Sequence, residues 1–186
     1  MILRAAERSA VPWKNGGGLT REVAVYPPGS DLGNFDWRVS LAEVRRGGPF
    51  SAFPGVDRHL AVLEGQLELA VAGRGTVTLC AGTPPLTFPG DVAALAEPRQ
   101  PPVTDLNVMT RRSRYGARLL RCGVQAAGTV RLEADTTLIL ALTPLTVCGT
   151  SLAALDAARF TASPDSLTVH AADADAAFWL IEIRAA

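Results

Sequence analysis

Short stretches of alternating apolar and polar residues recur along the chain and predict β-strands. In one stretch Trp37, Val39 and Leu41 fall on one side, with Arg38 and Ser40 on the other. Further alternating stretches lie at 20–26, 66–71, 76–81 and 104–111. The best helix candidate is Ser151–Ala158, and glycines and prolines punctuate the strands as turn formers. This pattern predicts an all-β sandwich or barrel.

A faint internal repeat suggests two related halves. Residues 59–69 can be laid on residues 137–147 so that leucine-rich positions coincide. Residues 125–128 have the composition of a short linker. We therefore predict a first barrel over 1–124 and a second, shorter β half over 125–186, packed on the first.

Composition allows a large core and argues against a nucleic-acid partner. The chain has 186 residues, of which 48% are hydrophobic, and its 18 basic side chains balance 18 acidic ones. The balance is uneven, because residues 1–124 carry a net charge of +4 and residues 125–186 a net charge of −4. This asymmetry would suit an anionic ligand in the first segment, or the packing of the two segments on each other.

Targeting signals and cysteines are consistent with a cytoplasmic protein that has no membrane partner. The chain starts with charged residues, and its most apolar stretch, 138–147, is much shorter than the roughly 20 residues of a spanning helix. The three cysteines are far apart and their number is odd. A disulfide framework or zinc site is therefore not expected.

The glycine-rich segment 12–22 contains two candidate binding residues. Lys14 is the only lysine, against 17 arginines, and its compact ammonium could contact one oxygen of a ligand. Asn15 follows it and precedes three glycines that permit tight turns. The alternative is an exposed lysine beside a turn.

Arg38, Ser40, Asp57 and Arg58 have two interpretations each. Arg38 and Ser40 are solvent-facing if the strand's apolar side forms a core between sheets, and they project inward if the strand lines a barrel. Asp57 and Arg58 are neighbours just before a strand, where they could form an ion pair that closes a turn or could bind a ligand.

A third polar group lies on the stretch 104–111. Strict alternation puts Asp105, Asn107 and Arg111 on one face of a strand. An acid, an amide and a guanidinium together can orient a small polar ligand. An edge strand with a solvated outer face would show the same pattern.

No catalytic or metal-binding signature stands out. His59 and His170 are far apart and lie in no His-x-His arrangement. The sequence also lacks a Gly-x-Ser-x-Gly elbow. We expect no metal and no cofactor.

The polar segments together resemble the HutD/Ves family of bacterial proteins. The matching motifs are Pro12-Trp-Lys-Asn-Gly-Gly-Gly18, Thr20-Arg-Glu22, Asp36-Trp-Arg-Val-Ser40, Gly48-Pro-Phe-Ser-x-Phe-Pro-Gly-x-Asp-Arg58, Leu63-Glu-Gly65, Phe88-Pro-Gly-Asp91 and Asp105-Leu-Asn-Val-Met-Thr-Arg-Arg112. They occur in order over residues 1–124, whereas the rest matches only in length and β character. The resemblance implies a cupin-type (RmlC-like) β-barrel with two cupin halves in one chain. It also implies an association with histidine utilisation.

The chain differs from the metal-binding members of the cupin fold that the resemblance implies. Those proteins place His-x-His and a Glu in the first barrel motif, whereas residues 54–65 offer only His59 and Glu64. A metal-dependent dioxygenase is therefore not expected.

The leading hypothesis is a metal-free cupin that binds a small anionic metabolite of histidine catabolism, such as formylated or formiminated glutamate, in a sensing or regulatory role. A homodimer is compatible with it. The candidate binding residues are Lys14, Asn15, Arg38, Ser40, Asp57, Arg58, Asp105, Asn107 and Arg111. The alternatives are a metal-independent isomerase or hydrolase that uses Lys14 or Asp57 as acid or base, and a protein-interaction module.

Overall fold

The computed structural model describes residues 1–161 and 165–186, which form seventeen β-strands and one 3₁₀ turn, Ala5–Glu7. The predicted all-β class is confirmed, because no α-helix occurs in those residues. The strands are β1 (Ile2–Leu3), β2 (Ala10–Pro12), β3 (Gly18–Tyr26), β4 (Trp37–Val44), β5 (Gly48–Pro49), β6 (Val56–Glu64), β7 (Gln66–Val71), β8 (Gly75–Cys80), β9 (Leu86–Pro89), β10 (Ala94–Pro98), β11 (Val103–Arg111), β12 (Tyr115–Arg131), β13 (Thr136–Ala141), β14 (Leu145–Val147), β15 (Thr150–Leu152), β16 (Ala157–Thr161) and β17 (Ser166–Ala185).

The helix candidate Ser151–Ala158 is wrong. The segment ends β15, turns, and begins β16. The turn is fixed by Asp156, whose Oδ2 accepts a hydrogen bond of 3.1 Å from the backbone N–H of Ala153, while Leu155 takes a positive φ of 67°. Across the part of the chain that is described, no helix is long and apolar enough to cross a membrane.

Backbone contacts divide the chain into two compact units. The first, here the N-terminal unit, comprises residues 9–116 and Ala186. The second, here the C-terminal unit, comprises residues 1–8 and 117–185. The division into domains at 1–124 and 125–186 stays a prediction.

The N-terminal unit contains two antiparallel sheets. One has six strands in the order β2-β3-β4-β11-β6-β9, and the other has four in the order β5-β10-β7-β8. One face of the six-stranded sheet carries Leu60 and Val62, which belong to the same apolar core as Leu67 and Leu69 of the four-stranded sheet. We call this the inner face.

Strand β4 is buried on both sides. Trp37, Val39 and Leu41 are at most 5% exposed, as the alternation predicts, and Ala42 on the other side is only slightly more exposed, at 7%. Ser40, with Ala42, lies on the inner face and is 1% exposed, so the solvent-facing interpretation of this residue is wrong. The inner face meets the four-stranded sheet across a shared core, so the polar side of this strand is buried as well as the apolar one.

The C-terminal unit has its own sheet and core. Six strands follow the order β1-β16-β13-β17-β14-β15, and β12 pairs with β17. Ile139, Ala141, Phe178 and Leu180 are among the buried residues of its core. Every position of β13 is buried, and its sequence is accordingly a continuous run of apolar residues and threonines without polar alternation.

Candidate ligand-binding site

Strand register brings six of the nine candidate residues to the inner face. Central strand β11 sets the register, because Asn107 lies opposite Ser40 of β4, and Met109 lies opposite both Arg38 of β4 and Arg58 of β6. Asp105 precedes Asn107 by two residues and so points to the same side. Directly opposed residues of antiparallel strands share a face. The six are therefore Arg38, Ser40, Arg58, Asp105, Asn107 and Arg111, the last of which follows Asn107 by four residues on β11.

Arg58 is a buried arginine surrounded by phenylalanine rings. The residue is 5% exposed, and its Cζ lies 4.6 Å from the ring centroid of Phe50, 5.3 Å from that of Phe88 and 5.9 Å from that of Phe53. Its Nε is buried with no hydrogen-bond partner among the described residues. Burial lowers the pKa of Arg58 to about 10, with the charge of Asp105 opposing the fall, so the side chain is a cation at neutral pH.

The ring contacts offset part of the cost of burying this charge, because an aromatic face attracts a cation. They provide no hydrogen-bond acceptors for the guanidinium N–H groups. A buried charge without a hydrogen-bonded partner is expensive, so this state of Arg58 makes it the leading candidate to contact a ligand.

Asp105 is a buried carboxylate that lacks donors. The residue is 1% exposed, and neither carboxylate oxygen has a hydrogen-bond partner in the described part of the chain. Burial raises the pKa of Asp105 to about 7, while the positive charge of Arg58 acts in the opposite direction. The group is therefore poised between its acid and its carboxylate form near neutral pH.

Asn107 lies on β11 between Asp105 and Met109, the residue opposite Arg58. Its residue exposure is 9%, and its side-chain Oδ1 is buried with no partner within residues 1–161 and 165–186. Because β11 is paired with β4 on one side and β6 on the other, the polar face of β11 is not the solvated face of an edge strand. Three unpaired polar side chains thus share the inner face: Arg58, Asp105 and Asn107.

Arg38 is already paired. Its Nε donates a hydrogen bond of 2.9 Å to Oε2 of Glu22, a β3 residue that lies opposite Ser40 in the register. The charge of Arg38 is balanced by this carboxylate, so Arg38 adds little net positive charge to the inner face.

Asp57 is not brought to the inner face. It is the neighbour of Arg58 on β6 and therefore points to the opposite side of the strand. Its Oδ1 accepts a hydrogen bond of 2.8 Å from Nε of Arg112, which also lies 3.3 Å from Asp91. The ion pair that the sequence suggests does exist, but its cation is Arg112 and not Arg58.

Replacement of Arg112 by Ala should leave the melting temperature nearly unchanged, because exposed ion pairs contribute little to stability. Thermal unfolding followed by circular dichroism checks this. A large drop in the melting temperature would instead show that the contacts of Arg112 with Asp57 and Asp91 hold the fold together.

Lys14 and Asn15 are exposed in the loop before β3. Oδ1 of Asn15 accepts a hydrogen bond of 2.9 Å from the backbone N–H of Gly17 and so fixes the turn. At Gly18 a Cβ would collide with the carbonyl oxygen of Glu43, so only glycine allows β3 to approach β4 this closely. The structure gives these glycines a local role and does not bring Lys14 together with the inner-face group.

Arg111 ends β11 and is used by a neighbouring loop. Its Nε donates a hydrogen bond of 3.2 Å to the carbonyl oxygen of Phe35, and its Nη2 donates one of 3.4 Å to that of Gly33. Its Cζ also lies 5.9 Å from the Phe35 ring. Arg111 lies on the same face of β11 as Asn107, as the alternation predicts. Its Nε and Nη2, however, bind the loop that contains Gly33 and Phe35.

Sequence reasoning missed the aromatic surroundings of Arg58 and the partner of Arg38. Phe88 lies opposite Arg58 in the pairing of β6 with β9, which strand alternation alone does not reveal. Phe50 is separated from Arg58 by a turn. Glu22 belongs to the motif Thr20-Arg-Glu22, and its place in the alternating stretch 20–26 is the sequence feature that could have indicated a partner for Arg38.

The residues present do not fit the metal centre that the cupin fold often carries. His59 points away from the inner face, and its Nδ1 lies 2.8 Å from Oγ1 of Thr87. Burial lowers the pKa of His59, although Asp57 opposes this. Within the described residues, no three His, Cys, Asp or Glu side chains are grouped closely enough to hold a metal ion.

Comparison with known proteins gives a family match over most of the chain. The model of the family described as HutD matches residues 5–179. The uncharacterized 21.2 kDa protein in the hutC 3′ region of Pseudomonas putida is 34% identical over 119 residues, covering 63% of this chain and 62% of that protein. Matches to the first curated relatives span only 56% to 62% of their lengths.

Solved structures agree with the fold. HutD from Pseudomonas fluorescens SBW25, determined in a formate condition, has a TM-score of 0.86 and 29% identity, covering 100% of this chain and 98% of that one. A cupin 2 conserved barrel domain protein from Leptotrichia buccalis has a TM-score of 0.62 at 13% identity, covering 94% and 92% of the two chains. The predicted cupin-type fold is confirmed.

Proposed function

The chain belongs to the HutD family, and from this premise we propose that the inner face of its N-terminal unit binds a small anionic metabolite of histidine catabolism, of the kind of formylated or formiminated glutamate. We propose further that this binding serves a sensing or regulatory role in histidine utilisation. The family name and the position of the Pseudomonas putida relative beside hutC support the pathway.

Arg58 is the observation that carries the proposal. Its guanidinium is buried and still charged at neutral pH, and its Nε has no hydrogen-bond partner in the described residues. A ligand carboxylate can accept two parallel hydrogen bonds from a guanidinium and thereby balance its charge. The surrounding phenylalanine rings hold the cation in one place, so little side-chain entropy is lost on binding.

Asn107 and Ser40 complete the polar surface beside Arg58. The unpaired Oδ1 of Asn107 can accept a hydrogen bond from an N–H group of the ligand, and the Ser40 hydroxyl can donate or accept. An N-acylated or N-formiminated amino acid has a carboxylate and an N–H group a few bonds apart. Such a metabolite therefore matches both the cation and the amide.

The enzyme alternative in its original form, with Lys14 or Asp57 as acid or base, is not supported by the positions of these two groups. Lys14 is exposed in a loop, and Asp57 is in an ion pair with Arg112. Neither lies on the inner face beside Arg58, where it could act as acid or base on a ligand held there.

Isothermal titration calorimetry with formylated glutamate, formiminated glutamate, glutamate, histidine and a neutral sugar tests the proposal. We expect the parent protein to bind at least one of the acids and not the sugar. The Arg58→Ala variant should lose about 1.5–3 kcal/mol of binding free energy for each charge-assisted hydrogen bond. Arg58→Lys should not restore it, because lysine cannot form the bidentate contact.

Arg112→Ala is the matched control, since it removes an arginine of the same unit that is engaged in surface ion pairs. Its affinity should equal that of the parent. The proposal fails if the parent binds none of the acids, or if the Arg58→Ala variant binds them as tightly as the parent. Nuclear magnetic resonance spectra of the same mixtures over time would reveal turnover and so favour an enzyme.

A further inference from the structure

Most charged side chains near the inner face are engaged in ion pairs or hydrogen bonds, and one cation and one acid have no such partner among the described residues. Arg38 is balanced by Glu22, the donors of Arg111 are taken by backbone carbonyls, and Lys14 lies in an exposed loop. The remaining charged groups are Arg58 and Asp105. Among the described residues this face is therefore close to neutral, without the positive excess that the sequence suggests. Arg58 and Asp105 shift each other's pKa, but no hydrogen bond or ion pair joins them there.

Asp105 has few ways to acquire donors from the protein. It lies opposite Ala42 on β4 and Val62 on β6, neither of which has a polar side chain. The strand register of the facing sheet puts apolar residues on the side that shares this core, namely Leu67, Leu69, Val71, Val77, Leu79, Ala94 and Ala96. Both carboxylate oxygens consequently lack donors within the described residues.

We infer, on the basis of the proposed function, that the ligand is a zwitterion that carries a carboxylate for Arg58 and an N–H cation, such as an amidinium, imidazolium or ammonium group, for Asp105. Such a ligand balances each buried charge with its opposite and supplies the missing hydrogen bonds. Asn107 lies on β11 between Asp105 and Met109, the residue opposite Arg58, and would therefore face the middle of such a ligand.

A ligand that presents a second carboxylate to Asp105 is disfavoured. Two like charges held close together in a medium of low dielectric constant repel strongly, and one must take up a proton. A neutral formyl group avoids the repulsion but does not balance the carboxylate. Asp105 therefore selects between ligands that bind to Arg58 through the same carboxylate.

Titration of Asp105 supports the inference. Burial raises the pKa of Asp105 to about 7, so part of the free protein carries a proton at this position at neutral pH. The charged groups on the inner face, within the described residues, are Arg58 of β6, Arg38 of β4, Glu22 of β3 and Arg111 at the end of β11, whereas the core residues of β7, β8 and β10 are apolar. Binding of a cation beside Asp105 lowers this pKa and releases the proton.

Two matched ligands test the inference. N-formimino-L-glutamate and N-formyl-L-glutamate share the same skeleton and both carboxylates, but the formimino group is a cation at neutral pH and the formyl group is neutral. We expect the parent protein to bind the formimino compound at least about tenfold more tightly, the value of one charge-assisted hydrogen bond. The Asp105→Asn variant should lose this preference, and its folding is checked by circular dichroism.

Calorimetry of the parent protein in buffers of different ionisation enthalpy gives a second measurement that does not depend on the variant. Binding of the formimino compound near pH 7 should release protons, and proton uptake would overturn the inference. Equal or tighter binding of the formyl compound, with a ratio that Asp105→Asn leaves unchanged, would also overturn it and leave the proposed function standing. If neither compound binds, the proposed function fails and the inference falls with it.

Discussion

Asp105→Asn should make the protein more stable at pH 8, by about 4 kcal/mol, because a pKa raised from 3.8 to about 7 corresponds to roughly 1.4 kcal/mol for each unit. The folded protein holds a proton on Asp105 that the unfolded chain releases above about pH 4. This group's contribution to stability is therefore fully present below pH 4 and is lost as the pH rises to about 7. Asn has nearly the shape of the protonated acid and does not ionise.

Urea unfolding of the parent and the variant at pH 4, 5, 6, 7 and 8 measures this effect. The difference in unfolding free energy should be small at pH 4, rise through pH 6 and level off above pH 7. Asp57→Asn is the control, since Asp57 is in a partly exposed ion pair with Arg112, and it should not show this profile. A difference that does not change with pH would contradict the prediction.

Asp156→Ala should lower the free energy of unfolding by about 3 kcal/mol, because it leaves several donors without their acceptor. Asp156 is 4% exposed, and its Oδ1 accepts a hydrogen bond of 2.7 Å from the backbone N–H of Ala5. Its Oδ2 accepts hydrogen bonds of 2.8 Å from Nη1 of Arg4 and 3.1 Å from the N–H of Ala153. The carboxylate thus ties the first residues of the chain to the turn between β15 and β16.

Urea unfolding at pH 7 measures the loss, and Asp135→Ala provides a comparison in the same unit, since that aspartate accepts one exposed hydrogen bond, from Ala185. Burial by itself would raise the pKa of Asp156, but the hydrogen bonds from Ala5, Arg4 and Ala153 outweigh it and hold the pKa below its ordinary value. The stabilisation is therefore present at neutral pH and lost as the pH falls through this lowered pKa. Equal losses in the two variants would show that the turn does not depend on Asp156.

Alternation predicted the strands well where one strand side is apolar and the other polar. The stretch at 66–71 coincides with β7, whose residues alternate between buried and half-buried. The segment Ser151–Ala158 has alanines and leucines that are good helix formers, but the Asp156 carboxylate also binds Arg4 and Ala5, which are adjacent to it only after folding. Local preference was overridden there by the hydrogen bonds of one buried carboxylate.

Alternation along one strand predicts which candidate residues share a face, but chemical type does not predict which of them are paired. Asp105 and Asn107 share a face because adjacent side-chain directions on a strand alternate, and this follows from the sequence. Whether Arg38, Arg58 and Arg111 are free cations does not follow from it, because their partners lie on other elements. Glu22 is 16 residues from Arg38, and the carbonyl of Phe35 is 76 residues from Arg111.

The sequence by itself determined the all-β class, the apolar sides of the strands and the polar side of β11, because these depend on the period of side chains along one extended segment. Only the tertiary structure decided that Arg58 stands unpaired among three phenylalanine rings and that Asp105 is buried without donors. The physical reason is that burial and pairing are properties of neighbouring strands in register. The residue type determines the charge of a side chain, but the groups that balance this charge are brought near it only by folding.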